Sequence, residues 1–126
     1  MNWALIAIAV GILVVYYGFK LSGQVSLKAA RGHLKNGALV IDVRTRAEFN
    51  SGHLPKAINI PLDEIESSLP RRVKDKNRVL LLHCQGGSRS SAAAKKLKSM
   101  GYARAFNLGS YGRAARVVNR KQNSAG

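Results

Sequence analysis

The chain has 126 residues, 46% of them hydrophobic, which sets an expectation of one compact domain and argues against disorder. Its formal charge is +15, from 21 Lys and Arg against 6 Asp and Glu, a balance suited to nucleic acid, anionic lipid or a small anionic substrate. Aromatic-rich RNA-binding signatures and zinc-finger spacings are absent, so no nucleic-acid partner is expected, and one cysteine excludes an internal disulfide framework and a cysteine-rich metal site. No metal or cofactor is expected.

Residues 3–19 read WALIAIAVGILVVYYGF, seventeen residues without a charge. At 1.5 Å per residue such a helix spans about 25 Å, the short end for a bilayer core. Trp3 at one end and Tyr16 and Tyr17 near the other sit where interfacial rings would. A cleaved secretory signal is the rival. Met1-Asn2 supplies no basic side chain before the apolar run, and no small-x-small cleavage site is obvious around Leu21 to Gln24. The expectation is an uncleaved transmembrane helix over 1–21, contacting the membrane through residues 3–19. Lys20, Lys28, Arg31 and Lys35 follow it, with no acidic residue before Asp42, so the soluble domain is expected on the cytoplasmic side of a single-pass protein.

Beyond a linker over 22–25, Ser26 is placed to cap a helix running to Lys35, with Leu27, Ala30 and Leu34 on one face and Asn36-Gly37 as its stop. ALVIDV (38–43) reads as a short buried strand. A short helix is expected around Ala47-Glu48-Phe49 and a second strand over 57–60, ended by Pro61. Residues 62–69 read as helix and 70–77 as a charged surface loop. RVLLLH (78–83) is the most apolar strand and fits the centre of a sheet. A glycine-bearing loop leads to a helix over 90–100, with Ala93, Leu97 and Met100 inward, Lys95, Lys96 and Lys98 outward, and Gly101 as its stop. A strand over 103–108, a turn and a helix to Val118 follow, and 119–126 reads as a polar tail. Strands alternating with helices define an α/β class with a mainly parallel central sheet, the domain occupying 22–118.

The chemistry is concentrated in LLLHCQGGSRSSAAAKKL. Cys84 is the first residue beyond the buried strand. Gln85, Gly86, Gly87 and Ser88 make a loop that Arg89 closes. Ligands of open α/β sheets bind beyond the carboxyl ends of strands. Glycines let successive N–H groups turn inward as a nest for negative charge, and a helix start adds unpaired N–H groups and the positive end of its dipole. A thiol at the rim of such a cradle ionises more easily than free cysteine. The combination is a nucleophile joined to an anion site, although an inert buried cysteine in a tight turn, or a phosphate-binding loop, would read similarly.

Asp42-Val43-Arg44, Glu48-Phe49, Gly52-His53-Leu54-Pro55-Lys56-Ala57 and Asn59-Ile60-Pro61 resemble the rhodanese series D-V-R, E-F, G-H-I-x-G-A, N-I-P. Cys84-Gln85-Gly86-Gly87-Ser88-Arg89-Ser90 resembles that family's active loop, C-x-x-G-x-R-S. The resemblance covers roughly 25–118 and implies an α/β domain, a single-domain sulfurtransferase that carries sulfane sulfur as a cysteine persulfide. It implies Cys84 as nucleophile, the backbone N–H groups of Gln85 through Arg89 as its cradle, Arg89 as a closing positive charge, and Asp42 with Arg44 as braces from the neighbouring strand end. Asp42 and Arg44 fit a structural ion pair equally well. It also implies a small anionic sulfur donor, thiosulfate or a persulfide, and a thiol acceptor. His53 is expected to be a structural hydrogen-bonder, His83 a core residue and His33 an exposed one.

Two departures bear on substrate. Lys56 stands where the family commonly has Gly, and Leu108-Gly109-Ser110-Tyr111 replaces the start of L-x-G-G-x-x-x-W, with no tryptophan after it. The competing readings are a non-catalytic, membrane-tethered binding module that docks an acidic partner or lipid, and phosphatase or arsenate-reductase chemistry. His83-Cys84…Arg89-Ser90 resembles the phosphatase signature H-C-x5-R-S, but only four residues separate Cys84 from Arg89.

Overall fold

The computed structural model describes the backbone of residues 2–125 and the side chains of residues 2–17 and 23–119. Among the described residues the order is α1 (Trp3–Ser22), α2 (Leu27–Lys35), β1 (Leu39–Asp42), α3 (Arg46–Ser51), β2 (Ile58–Asn59), a 3-10 turn (Leu62–Glu64), α4 (Ile65–Arg72), β3 (Leu80–His83), α5 (Ser88–Ser99), β4 (Ala105–Gly109) and α6 (Tyr111–Ala125). Local chemistry sets several of these limits. Ser26 Oγ accepts the Ala29 N–H at 3.1 Å to start α2. Thr45 and Glu48 form a reciprocal capping box at the start of α3.

The four strands form one parallel sheet in the order β2-β1-β3-β4, with Asp42 opposite His83 at the carboxyl ends of the central pair. Both faces are covered, which is why β3 is uniformly apolar up to its last residue. Ile41, Leu80 and Leu82 pack with Ile65, Leu69, Ala93 and Leu97 of α4 and α5. Val40 and Leu81 pack on the other side with Ala30, Ala114 and Val117 of α2 and α6. The chain leaves β1 for the outer strand β2, then returns across β1 to β3. That reversal parts the connections above the ends of β1 and β3, opening the crevice where ligands of such sheets bind. Asp42, His83 and Cys84 stand at this point.

The strands are each a residue or two displaced or shorter than the sequence reading, and three helix limits differ from it for identifiable reasons. α4 passes through Pro70 to Arg72; a proline in a last turn forfeits one helical bond, and Val73 N–H still closes on the Leu69 carbonyl at 2.8 Å. α5 starts at Ser88, because Gly87 at φ 102° turns the chain directly into the helix. α6 continues to Ala125, so most of the segment expected as a tail is helical; its Arg, Lys and Gln residues favour helix.

The membrane expectation is overturned. Among the described residues no helix is long and apolar enough to cross a membrane. α1 exists, and its described large apolar side chains from Trp3 to Tyr17 are exposed. The charge-free run over 3–19 rises only about 25 Å at 1.5 Å per residue, against about 30 Å of hydrocarbon. The last turn of α1 also contains Lys20. The transmembrane helix over 1–21 and the single-pass localisation with its cytoplasmic orientation fall with it, and the membrane contact through residues 3–19 is left without support among the described residues.

Candidate active site

Cys84 follows β3 by strand alternation onto the face covered by α5, so its side chain lies under the start of that helix. It is fully buried. Its Sγ accepts hydrogen bonds from the N–H of Gly87 at 3.0 Å and of Ser90 at 3.4 Å, and lies 3.5 Å from Ser90 Oγ. Burial alone pushes the thiol up. The Ser90 hydroxyl and the N–H groups of Ser90, Gly87 and Arg89 together outweigh it, holding the thiol below its ordinary value. The sulfur therefore sits in a nest of donors that favours its anionic form.

Ser90 Oγ lies 2.7 Å from Asn107 Oδ1, 3.1 Å from the Gly87 carbonyl and 3.4 Å from the Gly109 carbonyl. One hydroxyl hydrogen serves these acceptors and the sulfur. Asn107, on β4, also accepts the Gly109 N–H at 3.0 Å and donates to the Gly87 carbonyl at 3.4 Å. It thus holds the Gly87 carbonyl turned toward β4. Gly109 at φ 103° in turn accepts the Cys84 N–H at 3.2 Å, tying the loop to the end of the sheet. Neither Ser90 nor Asn107 is among the expected site residues. Ser90 was visible in the loop motif, but Asn107 carries no local signal.

Asp42 and Arg44 are both buried, and the Arg44 guanidinium binds both Asp42 oxygens, at 2.8 to 3.0 Å. Asp42 holds the Arg44 guanidinium more firmly protonated than usual. The same guanidinium donates to the Gly52 carbonyl at 2.7 Å, reaches Gln85 Oε1 at 3.5 Å and lies 4.7 Å from the centre of the Tyr111 ring. Tyr111 N–H donates to the Gln85 carbonyl. Where the family has glycine and then tryptophan, this chain packs a tyrosine beside the loop.

Arg89 is half-buried and paired with Glu48, at 2.6 and 3.1 Å. Arg89, helped by the Thr45 cap, draws the Glu48 carboxyl down to about 2. Gln85, Gly86 and Ser88 are exposed at the loop surface, while Gly87 is buried beneath it. His83 is buried, its Nε2 unpartnered among the described residues at 3.9 Å from Asp42 Oδ2, and burial pushes its pKa down, so it is a neutral core residue. His53 Nδ1 donates one bond to the Phe49 carbonyl at 3.0 Å, and its ring stacks on Phe49, as a structural residue does. His33 stacks on Phe106 rather than standing free. Lys56 adopts φ 64°, which explains why a glycine suits its position. Among the described residues no His, Cys, Asp and Glu group is arranged to hold a metal ion.

Fold and loop together define an α/β domain with a buried, donor-ringed cysteine at a topological switch point. The rhodanese-like domain model matches residues 26–112, and the chain belongs to that family. The thiosulfate sulfurtransferase PspE of Escherichia coli (strain K12) is 38% identical over 69 residues, covering 55% of this chain and 66% of PspE. Thiosulfate:glutathione sulfurtransferase of Homo sapiens is 36% identical over 96 residues, covering 66% of this chain and 84% of that protein. The human single-domain sulfurtransferase TSTD1 aligns structurally with a TM-score of 0.64 at 31% identity, over 75% of this chain and 96% of that one. The chain spans slightly under two thirds of the length of the E. coli relative.

Proposed function

We propose that this protein is a sulfurtransferase that moves sulfane sulfur from thiosulfate or a persulfide donor to a thiol acceptor through a Cys84 persulfide, the catalytic unit occupying residues 22–118. The observation that carries the reading is the Cys84 sulfur held in a ring of N–H donors at the start of α5. The Cys84 thiolate attacks the outer sulfur of the donor. A new S–S bond forms, the old one breaks, and its electron pair leaves with sulfite or with a thiolate. An acceptor thiolate then attacks the outer sulfur of the persulfide and regenerates the Cys84 thiolate, a double displacement expected to give ping-pong kinetics.

The N–H groups of Gly87, Arg89 and Ser90 stabilise charge on the sulfur, and Gly86 leaves the loop free of a side chain above them. Arg89 closes the cradle and adds positive charge. Gln85 and Ser88 form its rim, and Asp42 with Arg44 brace it through Gln85. The names of the E. coli and human relatives support the donor and acceptor classes. Phosphate transfer would require room for three more oxygens around a sulfur that is already buried under a four-residue loop, which favours sulfur. The test is intact-mass analysis of the purified chain incubated with thiosulfate. Cys84 is expected to gain one sulfur atom and lose it on addition of a thiol; Cys84→Ser is expected to gain nothing. Failure of thiosulfate, persulfide and polysulfide alike to load Cys84 refutes the reading.

A further inference from the structure

The chain's formal charge is +15, yet the arginines described against the loop are paired with carboxylates. Two arginine side chains meet it. Arg44 is bound through both oxygens of Asp42, and Arg89 through both oxygens of Glu48. Arg113, near Gly109, keeps its charge, with no carboxylate paired to it among the described residues, but its guanidinium is held by the Leu108 and Val25 carbonyls at 2.8 and 2.6 Å. Arg46 at the start of α3 is likewise paired, with Glu64 at 2.9 Å. The N–H nest stabilises one charge on sulfur, but the two arginines of the loop reach the incoming donor as neutral pairs.

Donors differ in what they demand of such a mouth. Thiosulfate brings two negative charges to a thiolate, and the encounter concentrates three in the cradle before sulfite leaves. A persulfide reacting in its protonated form R–S–SH brings none at the reacting sulfurs: the Cys84 thiolate bonds to its outer sulfur, the S–S bond breaks, the pair leaves as RS⁻, and one negative charge is carried throughout. We infer that Glu48, by neutralising Arg89 at the loop, is a specificity-determining residue that selects low-charge persulfide donors over dianionic thiosulfate. The inference rests on the sulfurtransfer reading above and names the donor class of that site. Glu48 is fitted to this role because its geometry is fixed independently of Arg89: the capping box with Thr45 holds the same carboxylate at the start of α3.

The capping box also supplies the test, since Gln serves at that helix position as well as Glu. In Glu48→Gln the cap stays, the carboxylate charge goes and Arg89 is left positive. Second-order rates of sulfur loading onto Cys84 are measured on the full chain by quenched intact mass, with thiosulfate and with an alkyl hydropersulfide that carries no other charged group, and the ratio is normalised to that of free cysteine. The wild type is expected to favour the persulfide by about 10-fold or more over the free-cysteine ratio. Glu48→Gln is expected to speed thiosulfate loading by about 10-fold, as an exposed charge facing a dianion permits, and the gain shrinks with added salt. Persulfide loading is expected to change by less than about 3-fold. An unchanged ratio in the folded variant, or a wild type that favours thiosulfate over the free-cysteine ratio, overturns the inference; the wild-type ratio decides alone if the variant does not fold. Loading by neither donor instead overturns the sulfurtransfer reading, and this inference with it.

Discussion

Ser90→Ala tests how the thiolate is made. Ser90 Oγ lies 3.5 Å from the Cys84 sulfur and 2.7 Å from Asn107 Oδ1, so the hydroxyl can release Asn107 and donate to sulfur as the thiol ionises. Asn107 Oδ1 keeps the Gly109 N–H when it does. Of the influences that lower the thiol, this hydroxyl is the strongest. A hydrogen bond to a charged group is worth about 1.5–3 kcal/mol, which is about 10- to 100-fold in the thiolate–thiol equilibrium. The sulfur is fully buried, so solvent screening does not reduce this much. A more basic thiolate is also a better nucleophile, with a Brønsted slope of about 0.4–0.5. The net expectation is loading about 3- to 12-fold slower than wild type below the wild-type midpoint. Above the variant's own midpoint the variant should be the faster enzyme. The assay pairs thiolate absorbance against pH, clean because Cys84 is the sole cysteine, with loading rates across the same range. A variant whose midpoint does not rise, or whose rate stays below wild type at every pH, would show that Ser90 only supports the loop.

Gly87→Ala places a Cβ 3.5 Å from the Gly109 carbonyl carbon, an ordinary contact, so the cost is the left-handed backbone at φ 102°. Urea unfolding should register a loss of about 1–3 kcal/mol, and misplacing the Gly87 N–H should slow Cys84 loading by about 10²-fold; a fully active, equally stable variant contradicts the donor assignment. Burial holds the neutral form of His83, so its folded pKa lies below its unfolded value of about 6.5. The associated stability is full above about pH 6.5 and is lost as pH falls through the folded value, because the unfolded chain then binds the extra proton. His83→Leu should flatten that acid limb of the unfolding midpoint against pH, and an unaltered limb assigns the loss to other groups. The Cys84 thiol is held down in the same sense, so the stability difference between wild type and Cys84→Ser should grow as pH rises from the folded value toward about 8.5 and level off above it; a flat difference would mean the sulfur is not a stabilised thiolate.

What the sequence determined by itself is the part written within a few residues. Ser26 starts α2 through a bond spanning three positions, where the sequence reading places it, and a Thr45–Glu48 box of the same span starts α3 in the region read as a short helix. The apolar run before Cys84 and the glycines after it specify a buried strand, a tight loop and a helix start, because strand burial and left-handed backbone depend on side chains at those positions. Length along the helix axis is less secure: a charge-free run of seventeen residues looks like a span until it is measured against the hydrocarbon it must cross. Only the tertiary structure decided which groups meet at the sulfur. Glu48 reaches Arg89 across 41 positions, Arg44 reaches Gln85 across 41, and Asn107 braces Gly87 from β4. These meetings follow from the register that sets Asp42 opposite His83 and from the chain's return across β1, and both are fixed by packing on the two faces of the sheet, which no local pattern encodes.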